Sequence, residues 1–206
     1  MKLESAVYAV SGVLFGLIVG WIIGTQQAQL GPRVAATPQA EAAPQAAAPA
    51  AGLDGSSAAP AVLDETKVQA LQNVASKDPK NAVARAQLGD LYYDAGRYPD
   101  AIKWYEQSFT LNPRDINVST DLGVSYYYNQ ETDRAIAQLE TSLAIDPVHA
   151  KTLLNLGVVK AFGKRDLKGA TEVWQKLVDV APQTPEGQQA KQALDSLNSA
   201  HGNIGQ

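Results

Sequence analysis

The 206-residue chain contains no cysteine. That absence excludes disulfides, thiolate nucleophiles and thiolate metal sites in any compartment. Histidine is scarce as well: His149 follows a proline, His201 lies in a polar tail, and there are no others. There is no G-x-S-x-G, no P-loop and no G-x-G-x-x-G. The acidic residues are spread singly, where solvation and i,i+4 pairing account for them. The chain therefore reads as a non-enzyme, with no cofactor and no metal. Its net charge of −4 is too mild, and of the wrong sign, for general nucleic-acid binding.

Charge is missing altogether from residues 5–23, an apolar run close to the ~20 residues that cross a bilayer core. Tyr8 and Trp21 stand near its ends, where amphipathic rings prefer the headgroup region. The alternative is a cleaved signal peptide. The run exceeds the usual ~7–15-residue apolar region of one, and the nearest small-residue site, Val34-Ala35-Ala36, lies far downstream. An uncleaved anchor over residues 1–30 is the expectation. Lys2 before the span, partly offset by Glu4, points to a cytoplasmic N-terminus and an inner-membrane protein whose remainder is exported.

Within the run, Gly12, Gly16, Gly20 and Gly24 recur every fourth residue. In water each would cost a helix about 1 kcal/mol relative to alanine. In lipid, a stripe without side chains lets a second helix approach backbone to backbone. The expected neighbour is a copy of this chain or a partner's helix; the alternative is a stripe facing lipid.

Residues 31–61 are almost wholly Ala, Pro, Gln, Gly and Ser, a composition that cannot bury enough apolar surface to fold. The spaced prolines break any long helix. This is a disordered tether, reaching from ~30 Å coiled to ~95 Å extended.

The rest is periodic. Asp78-Pro79, Asn112-Pro113, Asp146-Pro147 and Ala181-Pro182 recur at separations of 34, 34 and 35 residues. Leu88-Gly89, Leu122-Gly123 and Leu156-Gly157 keep the same phase, with Tyr92 and Tyr126 following and Lys160 breaking the pattern. Ala101, Ala135 and Ala170 come later, each with a bulky residue four further on: Tyr105, Leu139 and Trp174. These residues resemble the L-G-x2-Y, A-x3-F and P signature of the tetratricopeptide repeat. The resemblance covers three repeats, about residues 82–182. It implies an all-α superhelix of antiparallel pairs, a first (A) and a second (B) helix per repeat, with glycine and alanine at the close contacts. A half-repeat carrying Val68, Leu71 and Val74 caps the front. A thin helix after Thr184, with Ala190, Leu194 and Leu197, caps the back, giving eight helices over 62–200 and a flexible tail at 201–206. The third turn, GKRDLKG, carries one extra residue, so the helix after it is expected to start askew.

The resemblance also implies a concave binding face lined by A helices. It draws Val83, Ala86, Gln87, Asp90, Tyr93 and Asp94 from the first repeat. Asn117, Thr120, Asp121, Val124, Tyr127 and Tyr128 come from the second. Lys151, Leu154, Asn155, Val158, Ala161 and Phe162 come from the third. Tyr93, Tyr127, Tyr128 and Phe162 are the expected aromatic anchors. Relatives that clamp a C-terminal carboxylate use Lys, Asn and Arg on this face. Here the matching places hold Ala86, Asp90 and Asp121, with only Lys151 and Asn155 in partial agreement. Such a face implies an extended, apolar or aromatic ligand that is neutral to basic. Lys160, Lys164, Arg165 and Lys168 surround the third turn, as a solvated turn or a contact for anionic lipid or an acidic partner. The function expected is a membrane-anchored adaptor for envelope proteins. The narrower alternative is an apocytochrome c holding chaperone, whose membrane-anchored repeat layout is similar. An enzyme would need Asp90 or Asp121 with a strongly raised pKa.

Overall fold

The computed structural model describes residues 60–202; the expected anchor, its glycine stripe, residues 31–59 of the tether and the end of the tail lie outside them. Residues 50–194 fall in one compact unit. Among the described residues there are eight α-helices and no strand. They are α1 (Glu65–Lys77), α2 (Ala82–Asp94), α3 (Tyr98–Leu111), α4 (Ile116–Tyr128), α5 (Thr132–Ile145), α6 (Ala150–Val158), α7 (Leu167–Val180) and α8 (Pro185–Gly202). α6 runs on as a π turn over Val159–Gly163.

Short polar and proline signals set the boundaries. The Asp64, Asn81, Asp115 and Asp166 carboxyl or amide oxygens accept from backbone N–H groups in the first turns of α1, α2, α4 and α7. Such caps are worth about 1 kcal/mol each. Thr184 Oγ1 accepts from Gly187 N at 3.0 Å, which makes it the cap expected for α8. At the other ends, Asp78, Asn112, Asp146 and Ala181 leave the helical region with ψ between 52° and 105°. Each precedes a proline, whose ring disfavours α geometry in the residue before it.

Within each repeat the helix pair closes on a glycine. A Cβ on Gly89 would lie 2.5 Å from the Tyr105 ring, one on Gly123 2.8 Å from Leu139, and one on Gly157 2.2 Å from Trp174. These are the glycine and bulky positions that recur in the sequence. Ala101, Ala135 and Ala170 are fully buried beside them. The pairs differ in bulk, and the indole of Trp174 adds a hydrogen bond from Nε1 to Leu154 O at 3.2 Å.

The A–B turns correct one expectation. All three have the same length, residues 95–97, 129–131 and 164–166. The additional residue of the third repeat lies inside the A helix, where the π turn absorbs it, and α7 starts on time. A single π turn widens one turn of helix to admit one residue while keeping backbone groups paired. Gly96, Gln130 and Arg165 occupy the middle of the three turns with φ of 69°, 64° and 57°. After α2, Gly96 N donates to Tyr93 O and Arg97 N to Tyr92 O, the double bond that a left-handed residue permits at a helix end.

A polar seam joins the repeats. Thr120 Oγ1 donates to Ile116 O at 2.7 Å and lies 2.7 Å from Thr152 Oγ1. Its single proton being spent, Thr152 must donate to it. His149 Nδ1, 2.7 Å from the same Thr152 oxygen, must then be the donor of that bond. Nearby, Ser142 Oγ and the Gln138 amide both donate to Ser119 Oγ.

Gly123→Leu should lower the stability of the repeat domain by about 1–3 kcal/mol, because Leu139 and the Ala135 carbonyl leave no room for a side chain. Chemical denaturation checks this, and an unchanged midpoint would contradict the contact.

Candidate protein-binding groove

The A helices α2, α4 and α6 present one face built on two interhelical links. Lys151 Nζ donates to Asp121 Oδ1 at 2.7 Å, joining α6 to α4 beside the Thr120–Thr152 pair. Tyr105 Oη of α3 donates to Asp90 Oδ1 at 2.7 Å. Gly89 makes this second link possible: without a Cβ it lets the Tyr105 ring pass over α2, so the hydroxyl emerges beside the next residue.

That hydroxyl is a permanent donor. Burial, then the Asp90 and Asp121 carboxylates, push its pKa far above the ordinary tyrosine range. Asp90 itself is raised. Burial of its carboxyl is the main cause, the Tyr105 bond opposes it, Asp121 and Asp94 add repulsion, and Lys151 lowers it. Asp90 retains solvent exposure as a residue, yet the protein packed around its carboxyl is enough to disfavour the charge. Three carboxylates thus act on one another across α2 and α4, with Lys151 as the cation opposing them.

Tyrosines gather at one end of this face. The Tyr98 and Tyr128 rings stack with centroids 4.9 Å apart, and Tyr93 meets them edge-on at 5.7 and 6.0 Å. Tyr127 lies tilted against Tyr128 at 5.8 Å, and desolvation raises its pKa. Edge-on and offset contacts of this kind add about 0.5–1.5 kcal/mol per pair beyond burial. Tyr98 was not among the residues expected here, because it is the first residue of a B helix. Its signal in the sequence is its place one residue beyond the Gly96-Arg97 turn, five after Tyr93.

The remaining face residues divide by exposure. Asp90, Asp94, Asn117 and Phe162 are exposed; Tyr93, Asp121, Tyr127, Tyr128, Lys151 and Val158 are half-buried. Val124 and Asn155 are buried, at 3% and 1% exposure, as are Thr120, Leu154 and Ala161. One repeat phase shows the trend: Gln87 is exposed, its counterpart Asp121 half-buried, and Asn155 buried. The open part of the face is therefore at the first repeat and the start of the second. The Asn155 amide makes no hydrogen bond among the described residues. Phe162 sits in the π turn with 57% of its surface exposed. Among the described residues, no group of acids and histidines is arranged to hold a metal.

Asp90→Asn should raise stability near pH 7, by well under 1 kcal/mol because the residue is solvent-exposed. A raised acid pKa means that the folded state binds its proton more tightly than the unfolded state. The gain should fade as pH falls through the raised pKa of native Asp90, below which its carboxyl is neutral as well. Thermal melts of both proteins from pH 4 to 7 check the sign.

Two family descriptions match the chain: "TPR repeat" over residues 89–130 and "Tetratricopeptide repeat" over 120–185. NrfG of Escherichia coli O157:H7, a formate-dependent nitrite reductase complex subunit, is 29% identical over 119 residues, covering 56% of this chain and 60% of that protein. The photosystem I assembly protein Ycf3 of Synechococcus sp. (strain WH7803) is 30% identical over 122 residues, covering 48% and 70%. The match to the BBSome member BBS4 of Bos taurus, 29% identical over 59% of this chain, spans only 23% of that protein. In three dimensions, the first TPR of Spaghetti (RPAP3) bound to the HSP90 peptide SRMEEVD aligns with a TM-score of 0.54 at 18% identity, covering 61% of this chain and 98% of that one. The shared period, the helix pairs closed on glycine and these matches lead to one conclusion: the chain belongs to the tetratricopeptide repeat family.

Proposed function

We propose that this chain is a membrane-anchored adaptor that holds extended segments of other proteins in the groove of its A helices. The observation that carries it is the pairing of an acidic wall, Asp90, Asp94 and Asp121, with a tyrosine cluster at its end. Carboxylates outnumber Lys151, which favours neutral-to-basic segments, and the rings supply apolar area at small entropic cost. The peptide bound by the RPAP3 domain, SRMEEVD, is acidic at its end; a terminus of that kind would meet repulsion here. The anchor is the apolar run at residues 5–23, and the glycine stripe on it is a packing face for a second helix. The groove lies on the exported side of the membrane.

A narrower form of the same function has unfolded apocytochrome c as the client, held before haem attachment. The similarity to NrfG, a nitrite reductase complex subunit, favours it. The absence of cysteine leaves any thiol step to another protein.

Peptide arrays probed with the full chain test the groove. Basic and aromatic peptides should bind, and Tyr127→Ala with Tyr128→Ala should weaken binding by more than ~2 kcal/mol with helicity retained. A preference for acidic C-terminal peptides would overturn this reading. Topology has its own check. Protease added to intact spheroplasts should digest the repeat domain, and digestion only after lysis would place the groove in the cytoplasm.

A further inference from the structure

The three A–B turns form a continuous edge of the 50–194 unit. At the first turn, Ala61 N donates to Asp94 O at 2.8 Å and Pro60 packs over Gly96, so the tether joins the fold here. Tyr93 and Tyr98 carry the edge to Tyr128 and the second turn. Gly163, entering the third turn, sits against Thr132 and Tyr127, and Lys164 pairs with Asp133.

The third turn is unlike the other two. Lys160, Lys164, Arg165 and Lys168 put four cations into nine residues that also hold exposed Phe162 at 57% and Leu167 at 40%. Carboxylates on the edge are mostly committed. Asp133 pairs with Lys164, Glu131 with Arg134 and Asp100 with Arg97, while Asp166 caps α7. Asp166 keeps its charge while capping, and against it Lys160, Arg165 and Lys168 leave the third turn with a net positive charge.

We propose that this edge docks on the surface of an anionic bilayer, with Phe162 and Leu167 entering the headgroup region. Lipid phosphates would balance the surplus cations. Near an anionic surface each cation contributes about 1 kcal/mol. The proposal rests on the anchor for one thing only: a tether that joins the fold at this edge lets the edge reach the membrane. Docking would leave the groove opening beside the bilayer, where a segment emerging from a membrane complex could enter it.

The absence of cysteine gives a direct test. A fluorophore on Gln130→Cys marks the edge, and one on Asn112→Cys marks the opposite end of the helices. The full chain is added to vesicles of phosphatidylcholine, with or without about a quarter phosphatidylglycerol, each containing a headgroup-labelled quencher. Quenching at residue 130 should exceed that at 112 only in anionic vesicles, and should disappear at about 0.5 M salt. The triple variant Lys160→Gln, Arg165→Gln, Lys168→Gln keeps the Lys164–Asp133 pair, and its docking equilibrium should weaken by about fivefold per cation removed. Flotation with the uncharged vesicles reads the anchor separately. Without insertion, the quenching difference in anionic vesicles still reports the edge. Equal quenching at both labels, or no response to the triple variant, overturns the proposal. So does an emission shift on adding polyglutamate with none on adding vesicles, which would assign the edge to an acidic protein.

Discussion

The close contact between a glycine on each A helix and a large side chain on its B helix is the constraint from which the rest of the structure follows. Tyr105 over Gly89, Leu139 over Gly123 and Trp174 over Gly157 set how near the two helices can come. That separation lets the neighbouring alanines be fully buried. Bulk at the B position varies from leucine to tryptophan while the glycine does not, so backbone access is what the pattern holds constant. In the first repeat the same access reaches the surface, since the Tyr105 hydroxyl meets Asp90 only because Gly89 is out of the way.

The groove inherits its character from this arrangement. A buried tyrosine that cannot ionise under ordinary conditions gives Asp90 a fixed donor, yet burial and the neighbouring acids still outweigh it. Lys151 is drawn to Asp121 and so offsets the charge of the first repeat only in part. The negative field is therefore strongest where the face is most open.

Much of the fold could be read from the sequence because repetition makes each signal count several times. Pro79, Pro113, Pro147 and Pro182 mark helix ends by a steric rule that needs no tertiary context. The glycine pairs were legible for the same reason. The extra residue of the third repeat was not. Counting shows that one residue has been added but not whether turn or helix takes it, and the structure puts it in the π turn over Val159–Gly163. The candidate site was less legible still. Val124 and Asn155 share a repeat phase with exposed residues, and their burial depends on the third repeat's neighbours. Tyr98 escaped because an A-helix projection cannot include a residue that reaches the face from the start of a B helix.

The Thr120–Thr152–His149 chain has a consequence for the joint between the second and third repeats. Its direction fixes the imidazole as a donor through Nδ1. Every proton in the chain runs the same way, from His149 through Thr152 and Thr120 to the Ile116 carbonyl. The Thr152 hydroxyl is thus the group through which both repeats are satisfied, and a side chain without it would strand a donor on one side of the joint and an acceptor on the other.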